Sequence, residues 1–219
     1  MNIFFYLVAS FFIFFIPTLL AEVTVRVISS YYNRLSLDLL PYLSISISII
    51  FFIPILFTVT PGRGCKEKVK FLELRKVIFF NLLCLFFVMV CLWLFFGYVD
   101  DYFLLEGEWF MSEAATLTSG AASLAILLFA ACVVAPLIEE LVFRGWLYKK
   151  IEFIQPHIRI SVIAIIFSLL HWQYEHFHTF ISIFLVGMLL GYIRLIFNNL
   201  SYAVLAHVAY NLFTFVALL

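Results

Sequence analysis

The sequence predicts an all-α protein, a polytopic transmembrane helical bundle, from three observations. Of the 219 residues, 66% are hydrophobic, 20% are aromatic and only 12% are charged, whereas a soluble domain is nearer half apolar and a quarter charged. The apolar residues come in runs of about 20, the length that an α-helix needs to cross a bilayer. The loops between these runs also differ in the sign of their charge, as the loops of membrane proteins do.

Seven stretches are predicted to span the bilayer, and the pattern is also compatible with six or eight. They lie at roughly 3–21, 39–60, 77–98, 121–139, 160–174, 178–197 and 200–218, by the criterion of about 20 apolar residues. The first contains Pro17 and the fifth is short, so these two are the least regular. Residues 1–120 form the predicted N-terminal transmembrane helices and carry no diagnostic motif, whereas residues 121–219 contain the polar motifs and form the predicted functional core.

Loop charges predict the orientation. Residues 61–76 contain six Lys or Arg side chains, and residues 98–120 contain none but have five Asp or Glu. Basic loops stay in the cytoplasm, so the first loop is predicted inside, the second outside, and the basic connection 144–159 inside again. The N-terminus is then inside and the C-terminus outside. The formal net charge is zero, so nothing indicates a nucleic-acid partner, and the predicted partner is the lipid bilayer.

Three polar motifs interrupt the apolar C-terminal half. They are Glu139-Glu140-x-x-x-Arg144, Phe167-x-x-x-His171 and His207-x-x-x-Asn211. A carboxylate at the centre of a span is unfavourable by roughly 2.5–3.5 kcal/mol, and such residues often mark a pathway or a reactive site. Glu140 and Arg144 are four residues apart with the acid first, the favourable order for a pair on one helical face. Glu139 points about 100° away and is therefore free to face another group.

These polar groups are predicted to reach the same depth on three different spans. From the inferred cytoplasmic edge, at about 1.5 Å per residue, Glu139 lies about 15 Å deep and His171 about 18 Å. His207 and Asn211 lie about 12 and 18 Å deep by the same measure. A single buried histidine is commonly structural, and an asparagine can simply bond a neighbouring helix. Because all four residues share one layer, on the cytoplasmic side of the midplane, a common site is the stronger interpretation.

A carboxylate, two imidazoles and an amide at one depth are suited to hydrolysis. A glutamate in an apolar pocket can take a proton from water, and a neutral histidine can orient that water or protonate a leaving amine. A second histidine and an asparagine can donate to a developing oxyanion. The same residue types could instead hold a divalent metal such as zinc, with Glu139, His171 and His207 around an open position. A proton-coupled transporter or a non-catalytic immunity-type binding protein could also use these buried groups, although no inverted repeat is detectable.

The motifs resemble those of a known family. Ala135-Pro-Leu-Ile-Glu-Glu-Leu-Val-Phe-Arg-Gly145, followed by the Phe167 and His207 motifs in order, is similar to the CAAX-protease and bacteriocin-processing (CPBP) family. That family includes the type II CAAX prenyl endopeptidases and abortive-infection-like bacterial proteins. The resemblance covers about residues 121–219.

This resemblance implies an intramembrane endopeptidase of the prokaryotic cytoplasmic membrane. It gives Glu139 the role of general base, assisted by His171, and gives His207 and Asn211 the role of stabilising the oxyanion. The implied substrate is a membrane-associated protein or peptide, with a lipid modification in some relatives, cleaved near the cytoplasmic face. A metal-free mechanism without a cofactor is favoured, and a zinc-dependent one is the alternative, since relatives have been described in both ways.

Five further residues are predicted to support the site. The resemblance gives Glu140 and Arg144 a supporting role, and Phe167 shares a helical face with His171. Gly187 and Gly191 form a small-xxx-small pattern in an apolar span, which predicts close helix packing. Their span also resembles the glycine-bearing helix of the family.

Overall fold

The computed structural model describes residues 2–31, 37–116 and 120–217, which contain helices and no strand. The helices are α1 (Ile3–Tyr31), α2 (Leu40–Val59), α3 (Cys65–Leu72), α4 (Phe79–Phe103), α5 (Trp109–Thr116), α6 (Ala121–Lys150), α7 (Pro156–Leu169), α8 (Phe177–Phe197) and α9 (Leu200–Val216). A 3₁₀ turn at Leu37–Leu39 precedes α2. The predicted all-α polytopic bundle is confirmed.

Five of these helices are long and apolar enough to cross a membrane, namely α1, α2, α4, α6 and α8. The shorter apolar helices α7 and α9 have 14 and 17 residues. Together the seven helices correspond to the seven predicted spans. α7 begins earlier and ends earlier than predicted, because Pro156 is well suited to a first helical turn and the polar residues after Leu170 do not continue an apolar helix. His171 therefore lies in the turn after α7 and not on the helix itself.

The two long connections each contain a short helix. α3 lies in the basic connection, and α5 lies in the acidic connection. α3 ends at Glu73, whose φ of 56° is left-handed, a common way for a helix to end. These short helices lie at opposite ends of the bundle, since one precedes α4 and the other follows it.

The bundle is assembled from helix pairs around α6. α1 packs against α2 and against the second half of α6, α7 packs against α8, and α4 packs against α9. The core contains fully buried side chains from several spans, for example Phe52, Met89 and Leu190. Many phenylalanines instead point outward, such as Phe79 and Phe87, which is the arrangement expected of a surface that faces lipid.

The helix α6 is irregular on both sides of Glu139 and Glu140. Its backbone is π-helical at Phe129–Val134 and again at Leu141–Leu147, and the α-helical turn Ala135–Glu140 lies between them. π-Helical segments are rare and occur frequently at functional sites. The two carboxylates of Glu139 and Glu140 thus lie on a short α-helical turn between two widened ones.

Candidate active site

Glu140 and Arg144 form a buried ion pair. Arg144 Nη1 lies 3.0 Å from Glu140 Oε1, and the two side chains are only 1% and 0% exposed. Arg144 Nη2 donates to the backbone oxygen of Gly187 at 3.1 Å, and its guanidinium lies 4.2 Å from the centre of the Phe167 ring. The charge of Arg144 is therefore balanced by a carboxylate, a carbonyl and an aromatic face.

His207 lies between the two glutamates. Its Nδ1 is 3.0 Å from Glu140 Oε1, and its Nε2 is 3.7 Å from Glu139 Oε2. Because an ionised carboxylate only accepts hydrogen bonds, the proton on Nδ1 belongs to the bond with Glu140. Glu140 thus orients His207 as well as pairing with Arg144, a role that the sequence interpretation had not included.

His171 is held by the helix that precedes it. Its Nδ1 lies 2.7 Å from the backbone oxygen of Phe167, so Nδ1 donates and Nε2 is left for another contact. The imidazole also stacks on Tyr174, with ring centres 6.1 Å apart and an interplanar angle of 11°. Although His171 is beyond the end of α7, the four-residue spacing to Phe167 still sets its position.

Asn211 compensates for a break in the hydrogen bonding of α6. In the first π-helical segment the N–H of Ala135 bonds to the oxygen of Ala130, five residues earlier. By the same spacing, the oxygen of Ala131 would accept from the N–H of residue 136. That residue is Pro136, which has no N–H. Asn211 Nδ2 donates to the Ala131 oxygen at 2.8 Å instead. One amide hydrogen of Asn211 is therefore engaged, and the other is available to a ligand.

The four predicted catalytic residues line one cavity. These are Glu139, His171, His207 and Asn211, in a cavity of about 630 Å³. A second cavity of about 210 Å³ lies between α1, α2 and the turn after α7, and Glu139, Phe167 and His171 line it too. The Glu139 side chain is 12% exposed, whereas Glu140 is fully enclosed. Of the adjacent carboxylates, only Glu139 borders these cavities.

The two histidines of the cavity share one feature with metal ligands. Both imidazoles have Nδ1 bonded to an oxygen and Nε2 directed elsewhere, a pattern that is common in histidine ligands of metals. Among the residues that the structure describes, however, no group of three or more His, Cys, Asp or Glu is arranged to hold a metal ion. The zinc-dependent alternative with Glu139, His171 and His207 as ligands stays a prediction, as does the metal-free scheme.

A second arginine supports the site from the other end of α8. Arg194 is buried and its Nε donates to the Arg144 backbone oxygen at 3.2 Å, while its Nη2 pairs with Glu73. Burial alone would raise the pKa of the Glu73 carboxyl, but the hydrogen bond and charge of Arg194, with Lys149 and Arg75, hold that pKa below its ordinary value. The sequence interpretation missed Arg194, although a lone arginine in an apolar span is a detectable signal.

The two glycines of α8 lie where α7 approaches most closely. A Cβ at Gly187 would be 3.3 Å from both Ala164 Cβ and Arg144 Nη2, and a Cβ at Gly191 would be 2.6 Å from Ile160 Cγ2. Larger side chains would therefore push α8 away from α7. The contact at Gly187 also lets its carbonyl oxygen reach Arg144.

The C-terminal part of the chain matches a known protein family. Residues 121–213 match the family described as type II CAAX prenyl endopeptidase Rce1-like. No curated protein and no solved structure matches the chain. The matched region begins at the first residue of α6 and includes every motif residue from Glu139 to Asn211.

Proposed function

We propose that the chain, whose residues 121–213 match the type II CAAX prenyl endopeptidase Rce1-like family, is an intramembrane endopeptidase whose general base is Glu139. The chain has several helices able to cross a membrane, and the matched family supports protease activity in general. One observation supports this assignment most strongly: the four candidate catalytic side chains, from three separate segments, line a single cavity among apolar helices. Among the residues that the structure describes, Glu140 has an arginine bound to it and Glu139 has none.

In the proposed reaction Glu139 takes a proton from a water molecule in the cavity. The oxygen of that water adds to the carbonyl carbon of the substrate peptide bond and forms a tetrahedral oxyanion. When the C–N bond breaks, the proton passes from Glu139 to the leaving nitrogen, directly or through His171. The products are an amine and a carboxylic acid, which then ionises to a carboxylate. General acid–base assistance of this kind typically contributes about 10²–10⁴-fold to the rate.

His207 and Asn211 would stabilise the oxyanion. His207 donates through Nδ1 to Glu140, so donation from Nε2 to the oxyanion as well requires the imidazolium form. Asn211 uses one amide hydrogen on Ala131 and offers the second. Donors held in place before the reaction need no reorganisation when charge develops.

The substrate is proposed to be a membrane-associated protein or peptide, with or without a lipid modification. By residue count, the reacting groups lie on the cytoplasmic side of the midplane of a prokaryotic cytoplasmic membrane. The apolar second cavity, lined by Phe14, Phe15 and Ile45 among others, is suited to an apolar group of the substrate near the scissile bond.

The substitution Glu139→Gln tests the general base. Substrates would first be found by comparing protein C-termini in cells that carry wild type or Glu139→Ala. With purified protein and one such substrate, Glu139→Gln is expected to lower the rate by about 10²–10⁴-fold. Glu175→Gln is the matched control, because that exposed side chain does not line either cavity. A wild-type rate for Glu139→Gln would exclude the proposed mechanism.

A chelator tests the metal-free scheme. No step above uses a metal, so a strong chelator is expected to leave the cleavage rate unchanged. Loss of activity in chelator, restored by zinc, would overturn this part of the proposal and favour His171 and His207 as ligands. An immunity-type binding protein would instead keep its cellular phenotype in the Glu139→Ala strain.

A further inference from the structure

We infer that the substrate reaches the active-site cavity from the acidic, extracytoplasmic end of the bundle. This inference depends on the proposed function and adds to it the route and the class of substrate. Depth and access are separate properties: a group can lie nearer one face by residue count and still be open only to the other. The described charges, cavity walls and packing decide the access.

The two ends of the bundle differ in charge. At one end Glu73 binds Arg194, Lys149 and Arg75, with Lys149 Nζ at 3.5 Å and Arg75 Nη2 at 3.7 Å. This cluster joins the connection after α3 to the ends of α6 and α8, and basic ends of this kind are cytoplasmic. Among the described basic residues Arg26 is the exception, lying toward the other end and paired with Glu22 at 2.7 Å.

The large cavity opens at the other, acidic end. Its walls come from the end of α4, the loop after it, α5, the start of α8 and the end of α9. The exposed residues of its lining are Gly97, Glu106, Gly107, Trp109 and Ser112. Its deepest residues, by contrast, are buried, with Phe167 at 2%, Val186 at 4% and His207 at 4% exposure. The exposed part of the lining therefore lies at the acidic connection, and the buried part lies beside the candidate catalytic groups.

The second cavity opens toward the same end. It reaches Glu139 and His171 from the side of α1 and α2. Its exposed lining residues are Trp172 and Gln173, in the turn after α7. Within the described part of the chain, neither cavity is lined by a Lys or Arg side chain.

Glu108 lies at the rim of the large cavity and connects two sides of the opening. This side chain accepts from the backbone N–H of Glu175 at 3.0 Å and of His176 at 3.2 Å, and from the hydroxyl of Thr179. These bonds join the loop after α4 to the start of α8, where an acidic side chain also interacts favourably with the helix dipole. The opening is thus held by specific contacts between its two sides.

The route toward the basic end is filled by packed side chains. Between Glu139 and the basic end, four side chains are buried to 1% exposure or less, namely Arg144, Leu147, Arg194 and Leu200. A Cβ placed on Gly145 in this layer would lie 3.0 Å from Leu200 Cδ2, so little free space remains. A substrate from the cytoplasm would have to displace this layer and its buried ion pair.

The substrate class follows from the route. The scissile bond belongs to a segment presented on the extracytoplasmic face, such as an exported peptide or the outer end of a membrane-spanning protein. Such a segment can extend down the cavity to Glu139 without crossing the packed layer.

Cysteine labelling in intact cells tests the route. Cys84, Cys91 and Cys132 are replaced by alanine, which leaves Cys65, exposed at the basic end, as an internal control. Ser112→Cys then adds a thiol at the exposed rim. A membrane-impermeant maleimide is expected to label the Ser112→Cys thiol in intact cells and Cys65 only after permeabilisation. Labelling of the Ser112→Cys thiol only after permeabilisation would overturn the inference.

An activity measurement on the labelled cells separates the two proposals. Bulky maleimide at the rim is expected to lower substrate cleavage at least several-fold in Ser112→Cys cells and not in the parent cells. Undiminished cleavage with a fully labelled rim would refute this route. If Glu139→Gln retained activity while the labelling pattern was as expected, the general base would be wrong and the position of the opening would still hold.

Discussion

The buried pair of Glu140 and Arg144 yields the sharpest stability prediction. Glu140→Gln keeps the shape of the side chain and removes its charge, so that Arg144, 1% exposed, loses the negative charge that balances it. Breaking a buried ion pair by removing one charge costs about 3–5 kcal/mol. We expect a loss of that size in the free energy of unfolding, with an added loss of activity because Glu140 also orients His207.

The neighbouring substitution Glu139→Gln is the matched control. The Glu139 side chain is 12% exposed, and its Oε2 lies 3.7 Å from His207 Nε2. Because Glu140 is fully enclosed and bound to Arg144, we expect Glu139→Gln to lower the free energy of unfolding less than Glu140→Gln does. Unfolding in mixed detergent micelles, followed by tryptophan fluorescence, should therefore separate two chemically identical substitutions at adjacent positions.

A double-mutant cycle with Arg144→Met completes this test. Residues in one ion-pair network typically show coupling of about 0.5–3 kcal/mol, so the double variant should be less destabilised than the sum of its single variants. If Glu140→Gln unfolded like wild type, or if the two substitutions were additive, the assignment of Arg144 to Glu140 would be refuted.

Two further predictions concern packing and pH. Gly191→Ala should lower stability by about 1–3 kcal/mol through overpacking against Ile160, while Gly97→Ala, where a Cβ meets nothing within 4 Å, should not; equal thermal melts would refute this. Burial alone raises the pKa of Glu108, but hydrogen bonds from Thr179 and two backbone N–H groups leave the pKa below its ordinary value. A carboxyl group whose pKa is lowered by folding stabilises the fold at pH values above its pKa in the unfolded state, about 4.3. Glu108→Gln should accordingly be less stable than wild type at pH 7, with a difference that shrinks as pH falls below about 4; a difference independent of pH would contradict this.

Local patterns predicted much of the candidate site. The spacing of four residues was enough to foresee the contact of Glu140 with Arg144, because one helical turn brings such residues together. It also related Phe167 to His171, although the helix ends before His171. The predicted end of the fifth span was too late, because hydropathy averages over a window and does not detect where a polar turn begins.

Contacts between distant segments could not be predicted in this way. His207 bonds Glu140 across 67 residues, Asn211 bonds Ala131 across 80, and Arg194 pairs with Glu73 across 121. No periodicity relates such positions, because each contact depends on how whole helices pack. Arg194 was visible in the sequence as an isolated charge, but its partner was not.

The sequence by itself determined the class of the protein, the charge of each loop and the identity of the motif residues. These properties depend on composition and on spacings within one helix, which the bilayer and helical geometry translate directly into structure. Tertiary structure decided which carboxylate borders the cavities, what holds each histidine and at which end the cavities open. Those properties depend on how separate helices pack, and only their mutual positions leave Glu139 beside open space and enclose Glu140 with Arg144.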